Sequence, residues 1–119
     1  MELEKSQTWK NLESALSQEA VAYAEYTFYA QQAAKDGYTQ ISDIFNETAA
    51  NELHHAKLHF KKMHDGVVPH TLQNLKDARS DEDAEVKIYT DYARVAREEG
   101  FADLSDFFEG LAAIEKSHE

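Results

Sequence analysis

Cysteine is absent from the 119 residues, which excludes disulfides, thiolate metal sites and a cysteine nucleophile. One proline and four glycines are the only strong breakers, so little prevents long helices in a chain rich in Ala, Glu, Lys, Leu and Gln. Basic side chains are scarce: 12 against 23 acidic ones leave a formal net charge of −11, which argues against nucleic acid or an anionic membrane surface as a partner. No apolar run approaches the length of a membrane span, and the opening residues Met1 to Lys5 lack a basic stretch followed by an apolar one. The expectation is a single all-α domain over residues 1–119, soluble and cytoplasmic, large enough to bury one core.

Within that chain one stretch is written twice. A shift of 63 residues superposes Gly37 on Gly100, Ile41 on Leu104, Ser42 and Asp43 on Ser105 and Asp106, Phe45 on Phe108, Ala49 and Ala50 on Ala112 and Ala113, Glu52 on Glu115, and His55 on His118. The same shift pairs Glu19 with Glu82 and Tyr26 with Tyr89. The copies agree best in their apolar positions and in one Glu-x-x-His.

Apolar spacing predicts four helices. The first runs from about Lys5 to Lys35, since Leu12, Leu16, Glu19, Tyr23, Tyr26, Ala30 and Ala33 recur at the three- and four-residue steps of one face. Asp36 and Gly37 stop it, with Gly at the left-handed position. Thr39 is the expected N-cap of a second helix reaching about His64, with Ile41, Phe45, Thr48, Glu52, His55, His59 and Met63 inward, and Asp65 and Gly66 end it. From Val67 to Ser80 a connection containing Pro69, Leu72 and Leu75 is expected, with a helical turn or two. Ser80 or Asp81 then caps a third helix whose inner face holds Glu82, Glu85, Tyr89, Tyr92 and Ala96 and which ends before Gly100. The fourth runs from about Ala102 to the chain end, with Leu104, Phe108, Leu111, Glu115 and His118 inward. Two helical hairpins joined by one long crossover make an antiparallel four-helix bundle of ferritin-like connectivity.

Glu-x-x-His sets a carboxylate and an imidazole about one turn apart on one face, where both reach one metal ion. With 14 Glu and 6 His, chance placement alone gives about 0.7 such pairs, so a single pair means little. Two pairs, Glu52/His55 and Glu115/His118, at equivalent places of a repeat carry much more weight. Each acid, Glu19 and Glu82 included, interrupts an otherwise apolar face, and four carboxylates near one level of a bundle repel strongly unless cations neutralise them. Hard oxygen ligands with one imidazole per metal and no thiolate favour iron or manganese over structural zinc. One Glu from each of two helices plus Glu-x-x-His from each of the others is the dinuclear carboxylate site of ferritin-like proteins.

More closely, the sequence resembles the rubrerythrin (erythrin) family, in a form lacking the rubredoxin domain. The resemblance covers essentially the whole chain and rests on Glu19 in Ser-Gln-Glu-Ala, Tyr26-Thr-Phe-Tyr-Ala, the segment from Asp36 to Phe45, Asn51-Glu-Leu-His-His-Ala-Lys, the segment from Ala93 to Phe101, and Ile114-Glu-Lys-Ser-His-Glu. It implies two iron ions in an oxo- and carboxylate-bridged centre, manganese being the alternative, that reduces hydrogen peroxide to water. Carried over by position, Glu19 and Glu82 are terminal ligands, Glu52 and Glu115 bridges, and His55 and His118 the nitrogen ligands. Glu85, three residues after Glu82, matches the family's seventh ligand and exchanges with His55 as the redox state changes; its repeat counterpart is Ala22, so the chain breaks its symmetry there. The four-cysteine rubredoxin domain of rubrerythrins is absent from this chain, so the resemblance implies an external donor such as rubredoxin. It also implies a homodimer, helix pairs being exchanged between subunits in some dimers.

Other residues have plainer roles. Tyr26 and Tyr89 either hydrogen-bond ligand carboxylates and join the redox chemistry or simply pack the core. Glu85 read by itself is a first-turn acid serving a helix dipole. His59, one turn after His55, either binds a further ion or fills space, and His54, His64 and His70 are expected at the surface. The second helix continues two turns past His55 whereas His118 is followed by one residue, so either the native chain extends past Glu119 or a partner covers that end. The competing functions are a ferroxidase or iron-handling protein that oxidises Fe(II) with oxygen, and a structural bundle holding zinc or no metal.

Overall fold

The computed structural model describes residues 1–118. It is all-α, with four helices and no strand among the described residues: α1 (Gln7–Lys35), α2 (Thr39–Lys62), α3 (Thr71–Glu98) and α4 (Ala102–Ser117). Four helices and no strand is the helix content of a ferritin-like four-helix bundle. The chain divides into two compact units, Met1–Val68 and Pro69–Glu119, each a hairpin of two packed helices.

In the first unit a 3₁₀ turn, Leu3–Lys5, precedes α1, which starts at Gln7 and not at the expected Lys5. Ser6 is the reason: its Oγ accepts from the Trp9 backbone N–H at 3.0 Å, fixing the N-cap. At the other end the Tyr38 N–H donates to the Ala33 carbonyl at 2.8 Å and the Gly37 N–H to the Ala34 carbonyl at 3.1 Å. That pair of bonds is the Schellman motif, and it requires the left-handed backbone that Gly37 adopts at φ 89°. α2 begins at Thr39 with Tyr38 as its N-cap, so Thr39 is inside the helix and caps nothing. Ser42 of α2 donates from Oγ to the Ala30 carbonyl of α1 at 2.8 Å, a buried latch across the hairpin.

The second unit repeats this turn almost atom for atom. The Phe101 N–H donates to the Ala96 carbonyl at 2.8 Å, the Gly100 N–H to the Arg97 carbonyl at 3.1 Å, and Ser105 Oγ to the Ala93 carbonyl at 2.7 Å. Gly100 has the same φ of 89°. Aromatic clusters repeat too. Tyr26 stacks on Phe45 at 6.0 Å between centroids, and Tyr89 on Phe108 at 6.2 Å. Tyr29 and Tyr92 each meet their Phe edge-on at 5.5 Å.

Between the units the expected long connection is short. α2 ends at Lys62, before the expected His64, and Asp65 and Gly66 turn the chain with positive φ. α3 then starts at Thr71, well before the expected Ser80 or Asp81, with His70 Nδ1 accepting from the Leu72 N–H at 3.4 Å. Between Pro69 and Gly100 there is neither Pro nor Gly, and Ser and Asp inside a helix cost only tenths of a kcal/mol each, too little to break it. Glu85 therefore lies in the middle of α3, and the reading of it as a first-turn acid is overturned.

The buried residues are small: Ala30, Ala33, Ala49, Ala56, Ala93 and Ala96, with Ser42 and Ser105. They line the seams where the two helices of a hairpin approach, and short side chains permit that approach. Most of the expected inner face is shielded, Leu12, Leu16, Glu19, Tyr23, Tyr26, Phe45, Thr48, Glu52, His59, Glu82, Glu85, Tyr89, Phe108, Leu111 and Glu115 among them. Ile41, Tyr92 and Leu104 were expected inward but are 46%, 48% and 51% exposed, and the side chains of His55 and His118, also expected inward, are 50% and 52% exposed. A two-helix hairpin covers only the stripe that faces its own partner helix and leaves the margins of that face open.

Candidate metal centre

Each hairpin gathers three of the expected ligands. In the first, Glu19 comes from α1 and Glu52 and His55 from α2, with one ligand atom of each lying within 4.8 Å of the others. In the second, Glu82 of α3 meets Glu115 and His118 of α4 under the same limit. The sets stand two turns along the helix from the Tyr–Phe stacks, so the repeated aromatic packing fixes the faces that carry the ligands.

His55 Nδ1 lies 3.1 Å from Glu19 Oε1, and His118 Nδ1 lies 3.4 Å from Glu82 Oε2 and 3.5 Å from Glu115 Oε2. Three carboxylate oxygens, Glu19 Oε2, Glu82 Oε2 and Glu115 Oε2, are buried without an aligned hydrogen-bond donor. Buried acceptors of this kind cost free energy unless a proton or a cation reaches them. Each half-site offers two carboxylates and one imidazole, with no thiolate, a donor set that fits divalent iron or manganese.

Glu85 joins the second half-site. The Glu115 carboxyl is raised from 4.5 to about 7, first by hydrogen bonding to Glu82, then by hydrogen bonding to Glu85, then by desolvation and by the charges of both neighbours. Three acids thus crowd one spot, and a proton sits where a cation can sit. Ala22, the counterpart of Glu85, brings no acid to the first half-site.

The remaining candidates sort by what they touch. Tyr26 and Tyr89 stack on phenylalanines, and neither hydroxyl hydrogen-bonds a ligand carboxylate among the described residues. His54 is exposed, His64 stacks on Phe60 at 4.2 Å, and His70 caps α3. His59 is different, because its Nε2 lies 2.7 Å from Glu19 Oε2. Its signal in the sequence was its place one turn after His55 on the ligand face, which does not by itself separate a working imidazole from a filler. The continuation of α4 to the chain end falls on residue 119, outside the described residues. No described helix is long and apolar enough to cross a membrane.

Comparison with known proteins agrees with this geometry. The family model described as Rubrerythrin matches residues 10–72 and 73–119, one match for each hairpin. Rubrerythrin-1 of Clostridium acetobutylicum is 37% identical over 133 aligned residues, covering 98% of this chain and 68% of that protein. The rubrerythrin of Nitratidesulfovibrio vulgaris is 37% identical with the same coverage, 98% and 68%. That of Porphyromonas gingivalis is 36% identical over 96% of this chain and 63% of its own length.

Proposed function

Because this chain belongs to the rubrerythrin family, we propose that it is a di-iron peroxidase that reduces hydrogen peroxide to water with electrons from an external donor of the rubredoxin kind. The observation that carries the proposal is the pair of matched half-sites with buried, donorless carboxylate oxygens, made unequal by one extra acid, Glu85. Glu19, Glu52, His55, Glu82, Glu115 and His118 would hold the metals. Iron in its ferrous form would supply the two electrons that, with two protons, convert one peroxide into two waters.

The chain's own groups have distinct tasks in this scheme. His55, half exposed on its side chain at 50%, would be the ligand able to leave and rejoin the set, with Glu85 as the alternative donor, so that the pair would adjust ligand charge to metal charge. Glu115 holds a proton near neutral pH in the absence of metal and gives it up on loading. The half-buried Tyr26 and Tyr89 rings shield the flank of each half-site from water. A homodimer completes the proposal. Phe28, Ile44 and Phe107 are 61%, 62% and 56% exposed, and apolar side chains this large on helices of one chain suit burial against a second copy.

The test is rapid mixing of the anaerobic Fe(II)-loaded protein with hydrogen peroxide in one run and dissolved oxygen in another, following the ferric absorption. Oxidation much faster with peroxide, and slowed in Glu85→Ala, is expected. Oxidation as fast or faster with oxygen would replace the peroxidase by a ferroxidase, and no iron-dependent signal would remove both.

A further inference from the structure

The first half-site contains one imidazole more than the six-ligand pattern requires. Both Glu19 oxygens lie close to histidine rings of α2, Oε1 3.1 Å from His55 Nδ1 and Oε2 2.7 Å from His59 Nε2. Only His55 belongs to the trio whose ligand atoms converge within 4.8 Å, together with Glu52. His59 stands one turn further along α2, its side chain 31% exposed, and lies against the other Glu19 oxygen from the one beside His55.

We propose that His59 is a positioning residue for the metal centre: its Nε2–H holds Glu19 Oε2, so that Glu19 offers Oε1 alone to the ion. This rests on the dinuclear reading above and goes beyond it, because the resemblance carries over no role for this histidine. Glu19 Oε2 is buried and lacks an aligned donor, and the His59 ring nitrogen is already within hydrogen-bond distance of it. Hydrogen bonds in metal-free sites are commonly misaligned and tighten once the centre is assembled. Supporting groups of this type typically change metal affinity by about 10- to 100-fold when removed.

Among the described residues the second half-site shows no further imidazole: Glu82 Oε2, the counterpart atom, is also buried, and the ring beside it is that of His118, itself in the trio. The described half-sites therefore share their trio and differ in what accompanies it, His59 in one and Glu85, against Glu115, in the other. Removing His59 should act on one ion and spare the other.

Anaerobic Fe(II) titrations by calorimetry of the wild type, His59→Leu and His59→Gln test this, with thermal melts of the metal-free proteins as the check on folding. Glutamine keeps an N–H donor near the place of Nε2, and leucine keeps the bulk without it. Two binding events are expected in the wild type, one weakened about 10- to 100-fold in H59L, with H59Q close to wild type. H59L binding both ions like the wild type would overturn the inference, as would H59Q being as weak as H59L or both events weakening equally. If the wild type itself binds no pair of ions, the dinuclear reading falls along with the inference. The other failures overturn the role of His59 alone.

Discussion

Glu115 provides a measurement that needs no metal. Its carboxyl titrates at about 7 where an ordinary glutamate titrates at 4.5, so in the metal-free protein it is about 90% protonated at pH 6, about half at pH 7 and about 10% at pH 8. The perturbation is Glu85→Gln, which removes one of the two acids responsible. Because Glu82 is the larger cause and remains, the midpoint should fall below 7 without returning to 4.5. Carbon-detected NMR of the side-chain carboxyl follows Glu115 directly. For a group whose folded value is raised, stability is fully present below the unfolded value and is lost as the pH climbs to the folded one. The metal-free protein should accordingly lose thermal stability between about pH 4.5 and 7 and then level off, with a shallower fall in E85Q. Metal loading must displace this proton, so the group alone should reduce apparent affinity about tenfold per unit below pH 7. A Glu115 midpoint near 4.5, or one that E85Q leaves unmoved, would refute the crowding of three acids on which the assignment of Glu85 rests.

Two further predictions concern the repeated turn. Ser42→Ala and Ser105→Ala each remove one buried latch, of 2.8 and 2.7 Å; each should cost about 0.5–1.5 kcal/mol, or roughly 2–6 °C in Tm, and a pair differing severalfold would contradict the equivalence of the turns. Gly37→Ala and Gly100→Ala meet no steric obstacle but force alanine to φ 89°, at about 1–2 kcal/mol each. Gly110 lies inside α4 with open space around it and an ordinary helical backbone, so Gly110→Ala should stabilise by about 0.5–1 kcal/mol. Thermal melts check all five substitutions, and a stabilising G37A or a destabilising G110A would show the backbone argument to be misapplied.

How far the sequence carried these conclusions depended on the kind of signal. Gly37 and Gly100 announced their turns because glycine after a helix leaves few alternatives, and both adopt φ 89° with the same pair of backbone bonds. The clustering of carboxylates and imidazole was legible because the repeat wrote it twice, and helical spacing alone converts Glu52 and His55, or Glu115 and His118, into neighbours. The start of α3 was not legible. Ser80, Asp81 and Asp83 have the chemistry of a cap, yet no Pro or Gly stands between Pro69 and Gly100 to break the helix that begins at Thr71. His59 could be placed on the right face but not on Glu19, since partners from a different helix depend on side-chain reach, which spacing does not encode. The exposure of Ile41, Tyr92 and Leu104 was hidden for a related reason: periodicity names an apolar face without saying what lies against it.

The tight turns at Gly37 and Gly100 also bear on the order of events during folding. Each hairpin packs two helices that are neighbours in the sequence, through a turn of a few residues, so its loop-closure entropy is small and its assembly belongs to the microsecond-to-millisecond range of local helical structure. Glu19 meets Glu52 and His55, and Glu82 meets Glu115 and His118, at the moment its own hairpin closes. On the proposed reading, an arriving ion would meet three donors already gathered rather than donors scattered along a coil.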